Sequence, residues 1–209
     1  VPTKQVVLAA VGDMLGLLKG TLVNYVVRKV KKMVPAYGLP GAVRFNDALA
    51  EGRGKRYTTP AITLDDIAVL QYTGGTTGVS KGAVLLHRNL VANVLQSEAW
   101  YQPALKRIPS GEQVVTVCAL PLYHIFGFTA NMMLSMRMGG CNLLLLNARD
   151  IPAVLKELSQ HKFHSLPAVN TLFRALANHP DFNRVDWSHL KLSVGGGMAV
   201  TSATAKLWL

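Results

Sequence analysis

Residues 70–89 read LQYTGGTTGVSKGAVLLHRN, in which a run of Gly, Thr and Ser that ends near Lys81 separates two apolar segments. The apolar segment before the loop, IAVLQYT, predicts a strand that leads into a glycine-rich loop, and a second apolar run follows the loop. Glycine allows successive backbone N–H groups to converge on one point, while hydroxyl groups and a lysine add further donors. This composition predicts a phosphate-binding loop.

The rest of the chain alternates apolar strand patterns with helical patterns. Near-continuous apolar strands separated by helices predict an α/β fold, with a mostly parallel sheet that helices cover on both faces. Ligands of such sheets bind beyond the carboxyl ends of the strands. Residues 74–82 and 195–197 are glycine-rich and follow predicted strands, so both are expected at this edge. Besides IAVLQYT (67–73), the predicted strands are VVTVCAL (114–120), CNLLLL (141–146), HSLPAV (164–169) and LKLSVGG (190–196), and the helices are LVANVLQSEAWY (90–101, capped by Asn89), TANMMLSMRM (129–138), PAVLKELSQH (152–161) and TLFRALAN (171–178).

The N-terminal part of the chain predicts a different organisation. Residues 3–13 read as a strand, and Asp13 is predicted to cap a helical stretch that ends before Pro35. Residues 44–66 are polar and contain glycine and proline, which is typical of a connection between two lobes. We therefore predict a strand plus a basic helix over 1–43, a connection over 44–66 and an α/β core over 67–209.

Positive charge is concentrated near the start of the chain. The net charge is +11, and the first 60 residues hold ten Lys and Arg against three Asp and Glu. At its centre, LVNYVVRKVKKMV (22–34) combines apolar residues at helical spacing with four cations, as in helices that lie on anionic membranes. The alternative is a solvated helix face packed on a core. Binding of nucleic acid is not expected, because no aromatic ladder or recognition motif accompanies the charge.

Two further features bear on the compartment. Residues 114–136 carry no Lys, Arg, Asp or Glu, but Pro121 and Gly127 interrupt them, so a buried strand, loop and helix are predicted rather than a membrane span. Cys118 and Cys141 both lie in apolar runs without metal-binding spacing, which predicts structural thiols in a reducing compartment. A cytoplasmic location, with peripheral contact to the inner face of a membrane, is expected.

The register of the loop distinguishes between classes of enzyme. Phosphate loops of the Walker type need Gly before the lysine and Ser or Thr after it, whereas Ser80 precedes Lys81 and Gly82 follows it. Residues 78–82 also fit G-x-S-x-G, the nucleophile motif of α/β-hydrolases, with Ser80 as the nucleophile. That motif requires a helix directly after the serine, and here an apolar run follows, so the hydrolase remains a minor alternative.

The segment Tyr72-Thr-Gly-Gly-Thr-Thr-Gly-Val-Ser-Lys-Gly82 resembles the signature Tyr-Thr-Ser-Gly-Thr-Thr-Gly-x-Pro-Lys-Gly of the adenylate-forming enzymes, which include acyl-CoA synthetases, luciferases and peptide-synthetase adenylation domains. Gly74 replaces the usual Ser and Ser80 the usual Pro. The resemblance spans almost the whole chain. Further matching segments are 120–127 and 192–198, and segments 19–24, 149–152 and 170–173 are similar to the bacterial long-chain fatty-acid ligases.

This resemblance implies an activity. Family enzymes join a carboxylate to ATP, which gives an acyl-adenylate and pyrophosphate, and then transfer the acyl group to coenzyme A, with Mg²⁺ on the phosphates. The family's next motif, with a Mg²⁺-binding Glu, and its C-terminal domain would follow Leu209. We therefore expect an internal fragment of the N-terminal domain that lacks turnover by itself. The alternative is a non-catalytic fragment that binds nucleotide or acyl chains.

The resemblance also assigns roles to residues. Thr76 is the predicted Mg²⁺ contact, Lys81 a phosphate clamp, and His124 a neighbour of the substrate carboxylate and α-phosphate, unless His124 is a hydrogen-bonded core residue. The phosphate-loop residues are Tyr72, Thr73, Gly74, Gly75, Thr76, Thr77, Gly78, Ser80, Lys81 and Gly82. The predicted adenine site comprises Gly195, Gly196, Gly197 and Met198, although a glycine triplet can also end a strand for structural reasons.

An acyl tunnel is expected near the reacting carboxylate. Its predicted residues are Phe126, Gly127, Phe128, Val169, Asn170 and Leu172, each of which could instead belong to the core. The long-chain ligases carry Thr-Gly where this chain has Pro167-Ala168, so the sequence leaves the shape of the tunnel and the preferred chain length open.

Overall fold

A computed structural model describes residues 4–73 and 81–209 of the chain. The chain forms two compact units, Val1–Ala61 and Ile62–Leu209. Of the predicted site residues, those at 74–80 lie outside the described residues, and so does the side chain of Thr73.

The first unit is a short parallel strand pair with helical segments. Its elements are β1 (Val7–Leu8), α1 (Leu17–Tyr25), a π-helical continuation (Val26–Val30), β2 (Val43–Arg44) and α2 (Phe45–Arg53). Val7 pairs with Val43 and Leu8 with Arg44. The segment predicted as a polar connection, 44–66, therefore contains the end of β2 and all of α2.

Two details of this unit differ from the sequence predictions. Asp13 does not cap the helix, because its carboxylate accepts hydrogen bonds from the backbone N–H of Ala10 at 2.7 Å and from Asn24 Nδ2 at 3.3 Å. Gly16, with a φ of 78°, precedes the helix instead. The helical segment ends in a wide turn in which Lys31 N donates to the carbonyl of Val26 at 2.8 Å, so the basic stretch 22–34 is helical only to Val30.

The second unit begins with the two apolar runs that flank the glycine-rich loop. They form β3 (Ile67–Thr73) and β4 (Lys81–Leu86), which pair with each other in antiparallel register. Tyr72 pairs with Gly82 and Thr73 with Lys81, at the end of the hairpin where residues 74–80 connect the two strands. The expectation that this loop follows a strand of the parallel sheet is therefore wrong, because β3 and β4 form a sheet of their own within the described residues.

A four-stranded parallel sheet forms the rest of the second unit, which confirms the predicted α/β class. Its strands lie in the order β6-β5-β7-β8. The elements are α3 (His87–Leu105), β5 (Val115–Cys118), α4 (Ile125–Gly127), a π-helical segment (Phe128–Met133), α5 (Leu134–Met138), β6 (Cys141–Leu144), α6 (Ile151–Leu158), β7 (Ser165–Ala168), α7 (Asn170–Ala177), 3-10 turns (Phe182–Arg184 and Trp187–His189), β8 (Leu192–Gly195) and α8 (Ser202–Trp208).

Local capping interactions set where these helices begin and end. Asp150 caps α6 by accepting a hydrogen bond from the Ala153 N–H at 3.1 Å. Gly139, with a φ of 64°, ends α5 in the left-handed conformation that glycine tolerates. Asn89 is not the N-cap of α3; the helix begins at His87, and the Asn89 side chain accepts from the Leu86 N–H at 2.9 Å from inside the first turn.

The core of the second unit packs against β5 and β7. All four residues of β7 are buried, as expected for a strand with a neighbour on each side. Apolar side chains of α6 and α7 pack on this strand pair, and a second, smaller cluster joins α3 and α5 to β8. The larger cluster contains Val117, Val154, Leu155, Leu158, Phe163, Leu166, Ala168, Leu172, Phe173, Leu176 and Val185.

The two cysteines differ in environment. Cys118 is buried, which raises the pKa of its thiol, as expected of a structural cysteine. Cys141 is exposed, in contrast to the prediction, because it begins β6 at the edge of the sheet. Within the described residues, no helix combines the length and apolar composition needed to cross a bilayer.

Candidate active site

The candidate site lies where β5, β7 and β8 end. The chain leaves β5 toward β6 on one side and returns to β7 on the other. This reversal opens a crevice between the loops that follow β5 and β7, which is the general ligand site of parallel sheets. A cavity of about 410 Å³ occupies this position, lined by Leu120, Pro121, Tyr123, His124, Phe126, Val169, Thr171, Gly197 and Met198.

A second cavity adjoins the first, and its wall combines apolar side chains with Thr171 and Arg149. It has a volume of about 370 Å³ and shares Leu120, Val169 and Thr171 with the first cavity. Its other walls come from the residue after β5, from the segment before and at the start of α6, and from α7. They are Ala119, Ala148, Arg149, Ile151, Leu172 and Ala175.

His124 is held by the first turn of the helical segment after β5. Its Nδ1 accepts a hydrogen bond from the Phe126 N–H at 3.2 Å, which caps α4. In the neutral imidazole the proton therefore resides on Nε2. Because His124 is exposed and lines the first cavity, it is not a core histidine, and its Nε2–H can donate to an anionic group of a ligand.

The predicted adenine residues divide into two pairs. Gly195 and Gly196 are packed by side chains: a Cβ on Gly195 would lie 2.1 Å from Val200 Cγ2, and one on Gly196 would lie 2.5 Å from Cε1 of Phe126. Gly197, with a φ of 78°, and Met198 line the first cavity. Close packing thus explains why glycine is needed at positions 195 and 196, while the backbone of Gly197 remains accessible to a ligand.

Of the six predicted tunnel residues, three line a cavity and three do not. Phe126 and Val169 line the first cavity, and Val169 and Leu172 line the second. The other three lie outside both walls. Gly127 is buried where a Cβ would lie 2.5 Å from the Pro121 carbonyl oxygen, Phe128 begins the π-helical segment, and Asn170 accepts a hydrogen bond from the Thr201 N–H at 3.0 Å.

The described flanks of the glycine-rich loop also bear on its chemistry. The Tyr72 ring lies across the hairpin from Gly82, where a Cβ would approach it to 3.3 Å. Strand β4 begins at Lys81, directly after Ser80, whereas a hydrolase nucleophile requires a helix there. Ser80 itself and the predicted Mg²⁺ contact Thr76 lie outside the described residues. The strand after Ser80 disfavours the hydrolase alternative.

Four residues of the first cavity were not predicted individually. Leu120, Pro121 and Tyr123 belong to the motif LPLYHIFG, and Thr171 follows Asn170 in another quoted segment. The motifs therefore include segments that line this cavity. Which side chain of each loop faces the cavity depends on local turns, and the spacing in the sequence does not determine this.

The sequence pattern of the AMP-binding enzyme family matches residues 7–209. The chain belongs to the AMP-binding enzyme family. It is 50% identical over 206 residues to the long-chain-fatty-acid–CoA ligase of Salmonella typhimurium, which covers 99% of this chain and 36% of that protein. The ligase of the same description from Haemophilus influenzae is 47% identical over 208 residues, with coverage of 98% and 36%. The chain thus spans about a third of the length of these curated relatives, and the resemblance inferred from the motifs is confirmed.

Solved structures of the family agree with this assignment. ATP-bound MatB from Rhodopseudomonas palustris aligns with a TM-score of 0.64 and 25% identity, over 80% of this chain and 32% of that one. The anthranilate CoA ligase AuaEII, in complex with anthranoyl-AMP, aligns with a TM-score of 0.66 over 97% of this chain and 38% of that one. At 22% identity, the second match supports the fold alone.

Proposed function

We propose that the protein to which this chain belongs activates a long-chain fatty acid with ATP, forming an acyl-adenylate and pyrophosphate, and then transfers the acyl group to coenzyme A. The observation that carries this proposal is the pair of adjoining cavities at the carboxyl ends of β5, β7 and β8. Their position fits a nucleotide beside an acyl chain, and the two curated relatives described above, which match 98% or more of this chain, are long-chain-fatty-acid–CoA ligases.

The first cavity has features that suit the nucleotide. Phe126 supplies an aromatic ring against which a base can pack, and Gly197 offers backbone without a Cβ. Mg²⁺ on the phosphates would neutralise their negative charge, with Thr76 as the proposed protein contact. Lys81, at the end of the hairpin beside Thr73, is the proposed clamp on the β- and γ-phosphates.

The proposed chemistry requires one anion to attack another. A carboxylate oxygen of the fatty acid bonds to the α-phosphorus while the bond to pyrophosphate breaks. In this proposal the Nε2–H of His124, which lines the first cavity, donates a hydrogen bond to the carboxylate or the α-phosphate, and Lys81 stabilises the departing pyrophosphate. Such preorganised donors lower the barrier because they are already oriented when the charge develops.

The second cavity suits the acyl chain. Ala119, Ile151, Leu172 and Ala175 give it apolar walls, and burial of each methylene against such walls contributes about 0.8 kcal/mol. Pro167 and Ala168, which raised the question of tunnel shape, are buried in β7 and line neither cavity. We therefore propose that Ala119, Ile151, Leu172 and Ala175 select the length of the fatty acyl chain.

Trapping the intermediate tests the proposal. Hydroxylamine converts an acyl-adenylate into a hydroxamate that can be measured, so ATP, Mg²⁺, palmitate and hydroxylamine are incubated with the full-length protein. ATP-dependent palmitoyl hydroxamate is the expected product. Its absence from the full-length protein would refute the ligase function. The 209-residue chain is assayed in parallel: no product is expected, and product from it would refute its assignment as a non-catalytic fragment.

We also propose peripheral contact with anionic membranes in the cytoplasm. The first unit exposes Leu17 (85%), Leu18 (87%) and Leu22 (64%) next to the basic residues of 28–32. Exposed apolar residues beside cations favour the surface of an anionic bilayer. Co-sedimentation with vesicles that contain phosphatidylglycerol should exceed that with pure phosphatidylcholine and should decrease with salt. Equal sedimentation with both vesicle types would contradict membrane contact by this surface.

A further inference from the structure

The first unit contains a cationic cavity that the proposed ligase reaction does not use. Its volume is about 470 Å³, and it lies between the α1 helix with its π-helical continuation and the β1–β2 pair. We propose that this cavity binds a phosphomonoester whose phosphate is attached to an apolar or aromatic group. The lining residues that carry the proposal are Asp13, Tyr25, Arg28, Lys29, Tyr37 and Arg44.

The charge of the cavity favours a dianion. Arg28, Lys29 and Arg44 line it, and within the described part of the chain none of their three side chains hydrogen-bonds or ion-pairs with another protein group. The carboxylate of Asp13 is already engaged by Ala10 N at 2.7 Å and by Asn24 Nδ2 at 3.3 Å. Three cations against one carboxylate leave a local charge of +2, which matches the charge of about −1.5 to −2 on a phosphomonoester.

The position of the cavity is that of a ligand site. Leu8 and Arg44 are the last residues of β1 and β2, and both line it. The cavity therefore lies at the carboxyl ends of a parallel strand pair, where ligands of α/β structures bind. On the helical side, Thr21, Tyr25 and Lys29 are spaced four residues apart and so share one face.

The walls around the cations favour a ligand with an apolar or aromatic body. Tyr25 and Tyr37 line the cavity while 59% and 48% exposed, so part of each ring is available for contact. Leu8 and Ala10 add aliphatic surface. Arginine binds phosphate in a planar, bidentate geometry, and the cavity offers two of them. Phosphate would therefore provide the charge, and the attached group would provide further affinity.

The test is a titration of the isotopically labelled 209-residue chain followed by NMR, in a Lys81→Ala background that removes the proposed phosphate clamp. The probes are inorganic phosphate, AMP, dihexanoyl phosphatidate and, as a control without a phosphomonoester, dihexanoyl phosphatidylcholine. The backbone amide of Arg44 and the side-chain amide of Asn24 should shift. AMP or dihexanoyl phosphatidate should bind at least about tenfold more tightly than inorganic phosphate. The tighter of the two identifies a nucleotide or a lipid as the source.

Two matched double variants distinguish binding in the cavity from nonspecific attraction to the positive charge of this segment. Arg28→Gln/Lys29→Gln and Lys31→Gln/Lys32→Gln remove the same charge from the same segment, but only the first pair lines the cavity. The first double variant should weaken binding at least about tenfold, and the second should leave it nearly unchanged. Equal weakening by both would overturn the proposal. The same conclusion follows if the cavity amides do not shift below about 10 mM probe, or if phosphatidylcholine binds as well as phosphatidate.

Discussion

Replacing Gly196 with alanine is expected to displace Phe126 from the wall of the first cavity. The added Cβ would lie 2.5 Å from Cε1 and 2.6 Å from Cζ of the ring. Carbon atoms in contact prefer separations of about 3.5–4.0 Å, so the ring must move by about 1 Å or more. Overpacking of this kind costs about 1–3 kcal/mol, and the first cavity, which the ring lines, offers space into which the ring can move.

The loss of stability can be measured in the second unit by itself. The three tryptophans, Trp100, Trp187 and Trp208, all belong to that unit, so the change in their fluorescence during guanidinium unfolding reports on it. The Gly196→Ala chain should unfold at a lower guanidinium concentration. In the full-length protein the same change should lower formation of acyl-adenylate, because the displaced ring occupies space proposed for the nucleotide.

A double-mutant cycle with Phe126→Ala is the control. Once the ring is absent, an alanine at position 196 has no close neighbour among those ring atoms, and its cost should fall to within about 0.5 kcal/mol of zero. If Gly196→Ala costs the same with and without the Phe126 ring, the contact does not explain the requirement for glycine, and the reasoning is refuted.

Three further predictions concern other parts of the molecule. In the full-length protein, Lys81→Ala should lower acyl-adenylate formation about 10²–10³-fold with little change in thermal stability, and unchanged adenylate formation would exclude the clamp. Leu158→Ala, at a core residue that is 1% exposed, should cost about 2–5 kcal/mol in fluorescence-monitored unfolding; a cost of a few tenths would contradict the described core. Hydrogen bonds from Lys162 and His164 lower the pKa of Glu112 below its ordinary 4.5, so its stabilising contribution is present above that value and is lost as the pH falls through the lowered pKa. Thermal stability of the unmodified chain should therefore decrease more steeply below about pH 4.5 than that of Glu112→Gln, and parallel curves would contradict this assignment.

The parallel sheet was predictable because its strands are short apolar runs between helical patterns. The runs around residues 114–120 and 164–169 became β5 and β7, whose buried positions need apolar side chains on both faces. The same reasoning predicted a structural thiol at Cys141, which is exposed instead. An apolar run does not reveal whether its strand has one neighbour or two, and β6 lies at the edge, with Leu144 58% exposed.

Antiparallel pairing and helix starts were harder to predict. The two runs around the glycine-rich loop have the composition of any other strands in the chain, and only their pairing with each other shows a hairpin. Asp13 is a good N-cap residue by type, yet its carboxylate is occupied by Ala10 and Asn24. Capping preference describes isolated helix ends, whereas tertiary hydrogen bonds decide between competing partners.

The sequence predicted which loops form the candidate site, but not which of their side chains contact one another. The motifs selected the segments that follow β5, β7 and β8, and all three segments meet at one cavity. The contact between Phe126 and Gly196 joins residues far apart in the sequence. Its existence depends on how neighbouring strands are ordered, and no local pattern contains that information.

The walls of the second cavity also bear on how relatives of this protein can diverge. Leu172 belongs both to this wall and to the hydrophobic core, where it is 7% exposed, so a change there is expected to affect the proposed acyl selection and the stability together. Thr171 and Arg149 are exposed and lie outside that core. Substitutions at these two positions can reshape the cavity without a stability cost from the core. Natural variation in acyl preference should therefore accumulate at Thr171 and Arg149 before it reaches Leu172.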